Sequence, residues 1–235
     1  MSIFLGEMIG TMLLILLGNG VVANVLLSET KGNNSGWIVI TFGWAIAVFV
    51  GVFVAAPISG AHLNPAVTVA LASLDKLDWG LVPTYIIAQL LGSIIGSILV
   101  WITYKKHFDV TDSPDLIRAT FCTSPAIRHS FYNVLTEVIA TFALVFGVLY
   151  MVAPSSSLGT LDALPVALLV LGIGLGLGGP TGYAINPARD LGPRIAHFLL
   201  PISNKSHTDW SYSWIPIVGP LVGGLAASMI FSVLH

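Results

Sequence analysis

Two segments of this chain, Ser59-Gly60-Ala61-His62-Leu63-Asn64-Pro65-Ala66 and Thr181-Gly182-Tyr183-Ala184-Ile185-Asn186-Pro187-Ala188, each end in Asn-Pro-Ala and each interrupt an otherwise apolar stretch. Proline suits the first helical position, where its missing N–H would have no intrahelical partner, and asparagine is a strong N-cap. Each box therefore reads as a helix start. The runs that follow, 67–74 and 189–200, are too short to cross a bilayer, which takes about 20 apolar residues, so each predicts a half-helix. Non-helical backbone survives at membrane depth only where protein buries it or where it lines a wet cavity. Broken helices at matching places in two halves point to an inverted repeat with a site between the halves, which is the anatomy of a pore.

Composition supports a membrane reading. With 55% hydrophobic and 9% charged residues in 235, and a mean hydropathy of +0.90, the chain has too little polar surface for a soluble domain. Six apolar runs are long enough to cross, at 3–27, 37–56, 79–104, 131–153, 161–179 and 212–234. The first eight residues carry neither a basic n-region nor a small-residue cleavage site, so they read as the start of a retained helix. A net charge of -2 with no basic cluster argues against a nucleic-acid partner. Cys122 is the single cysteine, so no intrachain disulfide can form, and it reads as a loop thiol. No Ser/His/Asp set, metal-ligand spacing or phosphate loop is present, so the reading is no enzyme, no metal and no cofactor.

A repeat underlies the spans. Glu7-Met8-Ile9-Gly10-Thr11 resembles Glu137-Val138-Ile139-Ala140-Thr141, and each glutamate precedes its own Asn-Pro-Ala box. Three spans and one half-helix per copy make the copies face opposite ways, with the half-helices entering from opposite faces and meeting near the midplane. The expected architecture is an all-α membrane protein with six transmembrane helices and two re-entrant half-helices. It forms one domain over 1–235, with repeats 1–104 and 130–235 joined by the loop 105–129. The connections 105–130 and 201–211 should lie in water on the same side. If the N-terminus is cytoplasmic, Lys76 is the one Lys or Arg on the inner side, while Lys31, Lys105, Lys106, Arg118, Arg128 and Lys205 fall outside. The positive-inside rule favours the reverse.

The block Ser59 to Thr68 and the block Asn186-Pro187-Ala188-Arg189-Asp190-Leu191-Gly192-Pro193-Arg194 resemble those of the major intrinsic proteins, the aquaporins and glycerol facilitators. The resemblance covers nearly the whole chain, and two boxes at equivalent places, each with an upstream glutamate, are far more specific than one. It implies an aquaporin-like fold, a homotetramer with one pore per subunit in the plasma-membrane bilayer, and both termini in the cytoplasm. It also implies that Asn64 and Asn186 turn amide N–H groups into the pore and interrupt a proton wire. Each half-helix presents there a dipole end worth about half a positive charge, which repels cations.

Arg189 costs about 2.5–3.5 kcal/mol near the membrane core, and in a helix's first turn the dipole makes a cation worse. By resemblance it is the arginine of a selectivity filter, offering a fork of donors to solute oxygens; a structural ion pair with Asp190 is the plainer alternative. Trp44, Gly174 and Tyr183 stand at spacings similar to the other filter positions of glycerol facilitators. Gly174 replaces the histidine of water-selective relatives. Tyr183 departs from the usual phenylalanine, and its hydroxyl either adds a polar contact or narrows the slot. Asp190, Arg194, Tyr104 and Pro216-Ile217 also resemble the polyol branch.

Glu7 and Glu137 read as buried carboxylates that accept hydrogen bonds from the irregular backbone ahead of each half-helix. A proton relay in a coupled transporter is the alternative. His62 lines or braces the inner vestibule, with a pH gate as the sharper option. Gly10, Gly92, Gly96, Gly223 and Gly224 allow close helix packing. Taken together, these residues predict a bidirectional channel for glycerol and similar small neutral solutes, with water, urea, dihydroxyacetone or protonated lactic acid as further passengers. A proton-coupled transporter and a mainly water-selective channel are the alternatives.

Overall fold

A computed structural model describes residues 2–151 and 157–235. Among them the fold is all helical. The first span is α1 (Ile3–Leu26), started by the Ser2 hydroxyl accepting from the N–H of Leu5; the second is α2 (Trp37–Ser59). A half-helix, α3 (Pro65–Ala72), follows. The third span begins with a 3-10 turn at Trp79–Leu81 and continues as α4 (Val82–Thr103). Two short helices, α5 (Lys105–Val110) and α6 (Pro114–Ala119), lead to α7 (Ser130–Leu149). The fifth span is a 3-10 turn, Gly159–Ala163, and α8 (Leu164–Leu177). The second half-helix is α9 (Pro187–Leu199), and α10 (Ile215–Leu234) closes the bundle. Six of these elements are long and apolar enough to cross a membrane.

Several boundaries shift for local reasons. Helix α2 runs through Pro57 and stops at Gly60, whose φ of 82° takes the left-handed conformation that glycine adopts without cost. Both half-helices begin at their prolines rather than two residues later, as a proline at N1 allows. Helix α10 starts at Ile215 instead of 212, because residues 209–214 form successive turns and Pro216 then occupies the first helical turn. Helix α7 closes at Leu149, and the expected end at 153 lies outside the described residues.

The two halves repeat each other in packing. Helix α1 lies along α2 and α4, and α7 lies along α10 and α8; each half-helix crosses to the other half's span, α3 onto α10 and α9 onto α4. Close approach comes from glycine. A methyl on Gly92 of α4 would collide with the Met8 carbonyl of α1, and one on Gly223 of α10 with the Val138 carbonyl of α7, directly after Glu7 and Glu137 respectively. Outward faces carry Leu17, Phe42, Ile46, Ile87, Leu168 and Ile230, all exposed, while Glu7, Thr11, Gln89, Glu137 and Thr141 are buried. Inside-polar, outside-apolar spans are what lipid rather than water selects.

The connection 105–130 is not the simple solvated loop that its charge suggests. Phe108, Ile117 and Phe121 are fully buried and pack with Ala23, Leu27, Val100 and Ala196, so α5 and α6 cover one end of the bundle. Arg118 of α6 donates to the Ser206 hydroxyl, at 3.1 Å, which puts both long connections at the same end.

Candidate functional site

Each half-helix is entered by the same strained backbone. Gly60, Ala61 and Leu63 have φ values of 82°, 54° and 52°, and Gly182, Tyr183 and Ile185, at equivalent places, have 77°, 36° and 45°. Left-handed conformations at non-glycine residues cost about 1–3 kcal/mol each, so other contacts must hold them. In the first half they come from Glu7: its carboxylate accepts from the N–H groups of His62 (2.9 Å) and Leu63 (2.7 Å), the Ser59 hydroxyl (2.6 Å) and the Gln89 amide (2.7 Å). In the second, Glu137 accepts from the N–H groups of Ala184 (3.0 Å) and Ile185 (2.8 Å) and from the Thr181 hydroxyl (2.7 Å). At about 1.5–3 kcal/mol for a hydrogen bond to a charged group, three or four such bonds outweigh the strain.

The asparagines join the halves. Asn64 Oδ1 accepts from the N–H of Ala66 at 2.9 Å, and Asn186 Oδ1 from those of Ala188 and Arg189 at 3.0 and 3.1 Å. With the oxygen fixed on the helix, each amide nitrogen must point away. Asn64 Nδ2 donates to the Ile185 carbonyl and Asn186 Nδ2 to the Leu63 carbonyl, both at 2.8 Å. The two half-helices are thus locked N-terminus to N-terminus, and each amide keeps one further N–H. Pro65, Ala66, Pro187 and Ala188 are buried at this junction.

A cavity of about 210 Å³ runs past the junction. Its lining is mostly apolar, with Leu14, Val48, Val52, Leu144, Val148 and Val170, and His62, Asn64, Asn186 and Arg189 supply polar groups. The Arg189 guanidinium lies over the Trp44 ring, 4.1 Å from its centroid, within range for a cation–π contact. Tyr183 lines the same cavity, and Gly174 lies behind it, where a Cβ would stand 2.9 Å from Tyr183 Cζ. Trp44, Tyr183 and Arg189, far apart in sequence, therefore line one cavity, with Gly174 packed against Tyr183.

Asp190 pairs with Arg194, not with Arg189. Its Oδ1 accepts from Arg194 Nε at 2.8 Å, and Oδ2 accepts from the Thr123 N–H and hydroxyl at 2.7 and 2.6 Å. Arg194 also donates to the carbonyls of Thr123, Thr208 and Asp209. Among the described residues the Arg189 side chain has no hydrogen-bond acceptor on the protein, so its donors face the cavity. His62 is half-buried, with Nδ1 3.2 Å from the Thr68 hydroxyl and its ring stacked on Tyr85 at 4.4 Å.

Sequence reasoning missed Gln89, Thr68 and Thr123. Gln89, a lone amide in an apolar span, carried the signal that membrane burial gives to any polar side chain. Thr68 stands four residues after Asn64, as Asp190 does after Asn186, so aligning the boxes exposes both. Thr123 had no signal, because only folding brings the long connection onto α9.

Six spans and two half-helices that meet at a shared junction beside a cavity are the architecture of a membrane channel. The chain belongs to the major intrinsic protein family, whose model matches residues 1–231. It is similar to the probable glycerol uptake facilitator protein of Thermotoga maritima, at 55% identity over 232 residues and 99% of each chain. It is also similar to the glycerol uptake facilitator protein of Streptococcus pneumoniae, at 51% identity over 232 residues and 99% of each chain. Its fold matches the X-ray structure of the aquaglyceroporin from Plasmodium falciparum with a TM-score of 0.85 and 33% identity, covering 97% of this chain and 93% of that one.

Proposed function

We propose that this chain is a bidirectional channel for glycerol and similar small neutral solutes, with Trp44, Gly174, Tyr183 and Arg189 as its selectivity filter. The carrying observation is the Arg189 guanidinium, which rests on the Trp44 face and has no protein acceptor among the described residues. A solute with a carbon backbone and hydroxyls on one side meets an apolar wall and a fork of donors together. Ions are excluded at two levels. The Arg189 charge repels cations at the filter, and the two half-helix dipoles do so at the Asn64–Asn186 junction. An anion would have to leave its hydration shell for a mostly apolar cavity.

Glu7 and Glu137 act as braces in this reading. Every contact each carboxylate makes is with a donor from its own loop or a neighbouring span, which favours support over proton relay. The whole of 1–235 is one domain, with repeats 1–104 and 130–235 joined by 105–129. It works as a homotetramer in the plasma membrane with both termini cytoplasmic, consistent with the family. The assembled mass would be four times 24.8 kDa, and a C-terminal tag would be cleaved by protease in inside-out vesicles only.

Stopped-flow swelling of proteoliposomes with glycerol, water, urea, dihydroxyacetone and lactic acid at low pH tests the function. Glycerol flux should exceed that of empty vesicles by at least tenfold without ion conductance, and Arg189→Ala should weaken the exclusion of cations. Water flux without glycerol flux would overturn the polyol reading.

A further inference from the structure

Tyr183 carries a hydroxyl into the constriction, and the structure turns it away from the lumen. The side chain is buried, and its hydroxyl is covered with no hydrogen-bond partner among the described residues. A Cβ on Gly174 would stand 2.9 Å from Tyr183 Cζ, 3.1 Å from the hydroxyl and 3.0 Å from Thr41 Cγ2; one on Gly178, a turn further, would stand 2.5 Å from Tyr183 Cδ1. The ring therefore lies along a side-chain-free stripe at the C-terminal end of α8 and its cap, with its tip between α8 and α2. Thr41 presents its Cγ2 methyl on this side, while its Oγ1 donates to the Ile38 carbonyl at 2.9 Å.

What holds the ring there is Trp37, in the first turn of α2 and two turns from Trp44. Its ring meets Tyr183 edge to face, with centroids 5.9 Å apart and planes at 80°. Its indole N–H donates to the Gly174 carbonyl at 3.1 Å. That carbonyl is among the last four of α8, which a helix end leaves short of intrahelical partners. One side chain thus ties the end of α8 to α2 and braces the Tyr183 ring between them.

We propose that Trp37 is a positioning residue that sets the width of the filter, with the Tyr183 hydroxyl acting as a spacer in the wall and not as a contact to the solute. This rests on the pore reading above. With Trp37 removed, the unpartnered hydroxyl draws the ring toward the lumen, where water can hydrogen-bond it, and the slot narrows.

The test is the ratio of erythritol to glycerol permeability in proteoliposomes of the full chain, which does not depend on how many channels are active. Trp37→Ala should lower it at least fivefold, and Trp37→Phe, which keeps a ring without the N–H, at least twofold. Tyr183→Phe alone should change the ratio less than Trp37→Phe does, and Trp37→Ala/Tyr183→Phe should return it toward the parent value. A lesion of stability alone would reduce both fluxes and leave the ratio unchanged. An unchanged ratio in Trp37→Phe and Trp37→Ala, or a larger shift in Tyr183→Phe than in Trp37→Phe, overturns the proposal; if Trp37→Ala does not fold, Trp37→Phe carries the decision. Absence of glycerol flux in the parent protein is a different result and falls on the pore reading instead.

Discussion

The two loops that enter the half-helices have the same backbone and different supports. Both turn left-handed at the same three places and both hang from a buried glutamate. Beyond that they diverge. In the first half Gln89 bridges Glu7 and the Thr68 hydroxyl, at 2.7 and 3.1 Å. In the second, the place of Thr68 is taken by Asp190, and an ion pair with Arg194 clamps α9 to the long connections at Thr123, Thr208 and Asp209. The difference follows the task. The second loop is followed by Arg189, a cation in a helix's first turn, and carries Tyr183 of the proposed filter. A carboxylate beside that arginine offsets its charge, and the buried pair fixes the half-helix from which the guanidinium projects.

The largest expected break in this comparison is Asp190→Ala set against Thr68→Ala. Arg194 is fully buried, and an uncompensated buried charge costs about 3–5 kcal/mol. Asp190→Ala should therefore lower the apparent melting temperature in detergent sharply and abolish glycerol flux. Thr68→Ala, which removes neutral hydrogen bonds, should cost about 1 kcal/mol and leave flux measurable.

The glutamates differ by one donor. Glu7→Gln should be more destabilising than Glu137→Gln by about 1.5–3 kcal/mol, the worth of one hydrogen bond to a charged group. In a Gln89→Ala background the gap between the two should close. A gap that persists there would assign the asymmetry to something other than Gln89.

Where the halves are alike, the variants should be too. Gly92→Ala and Gly223→Ala each force a methyl against the backbone of the facing helix, and each should cost about 1–3 kcal/mol from overpacking. Thermal melts that differ widely between them would mean that the helix pairs α1–α4 and α7–α10 do not tolerate separation equally.

The smallest effect concerns the outer clamp. Burial alone would raise the Asp209 carboxyl, but hydrogen bonds from Arg128 and Ser211 and the charges of Arg128 and Arg118 outweigh it and hold it below the ordinary 3.8. A depressed carboxylate contributes stability that is present above its unfolded pKa and lost as pH falls through its folded one. Arg128 is 55% exposed, so Arg128→Ala should cost less than about 1 kcal/mol at neutral pH. The difference from the parent should shrink below pH 3.8, measured by melting across pH 3–7. Nearby, burial pushes the Cys122 thiol up to about 12, so the folded protein should resist maleimide labelling at pH 7.

Residue types and their order determined the spans, the half-helices and the repeat. An apolar run of about 20 residues has few fates in a bilayer, and Asn-Pro-Ala specifies a helix start through local geometry alone. The pairing of Glu7 and Glu137 with the two boxes is likewise legible, because the repeat sets each carboxylate before an irregular segment whose N–H groups need acceptors. Tertiary structure decided the rest. Asp190 had two arginine neighbours, Arg189 one residue before it and Arg194 one helical turn after, and sequence proximity does not say which its side chain reaches. The connection 105–130 reads as polar until Phe108, Ile117 and Phe121 meet a surface that exists only after α1, α4 and α9 assemble. The direction of the Tyr183 hydroxyl depends on Gly174 of α8, Gly178 just past its end and a tryptophan of α2, contacts set by packing across long sequence separations.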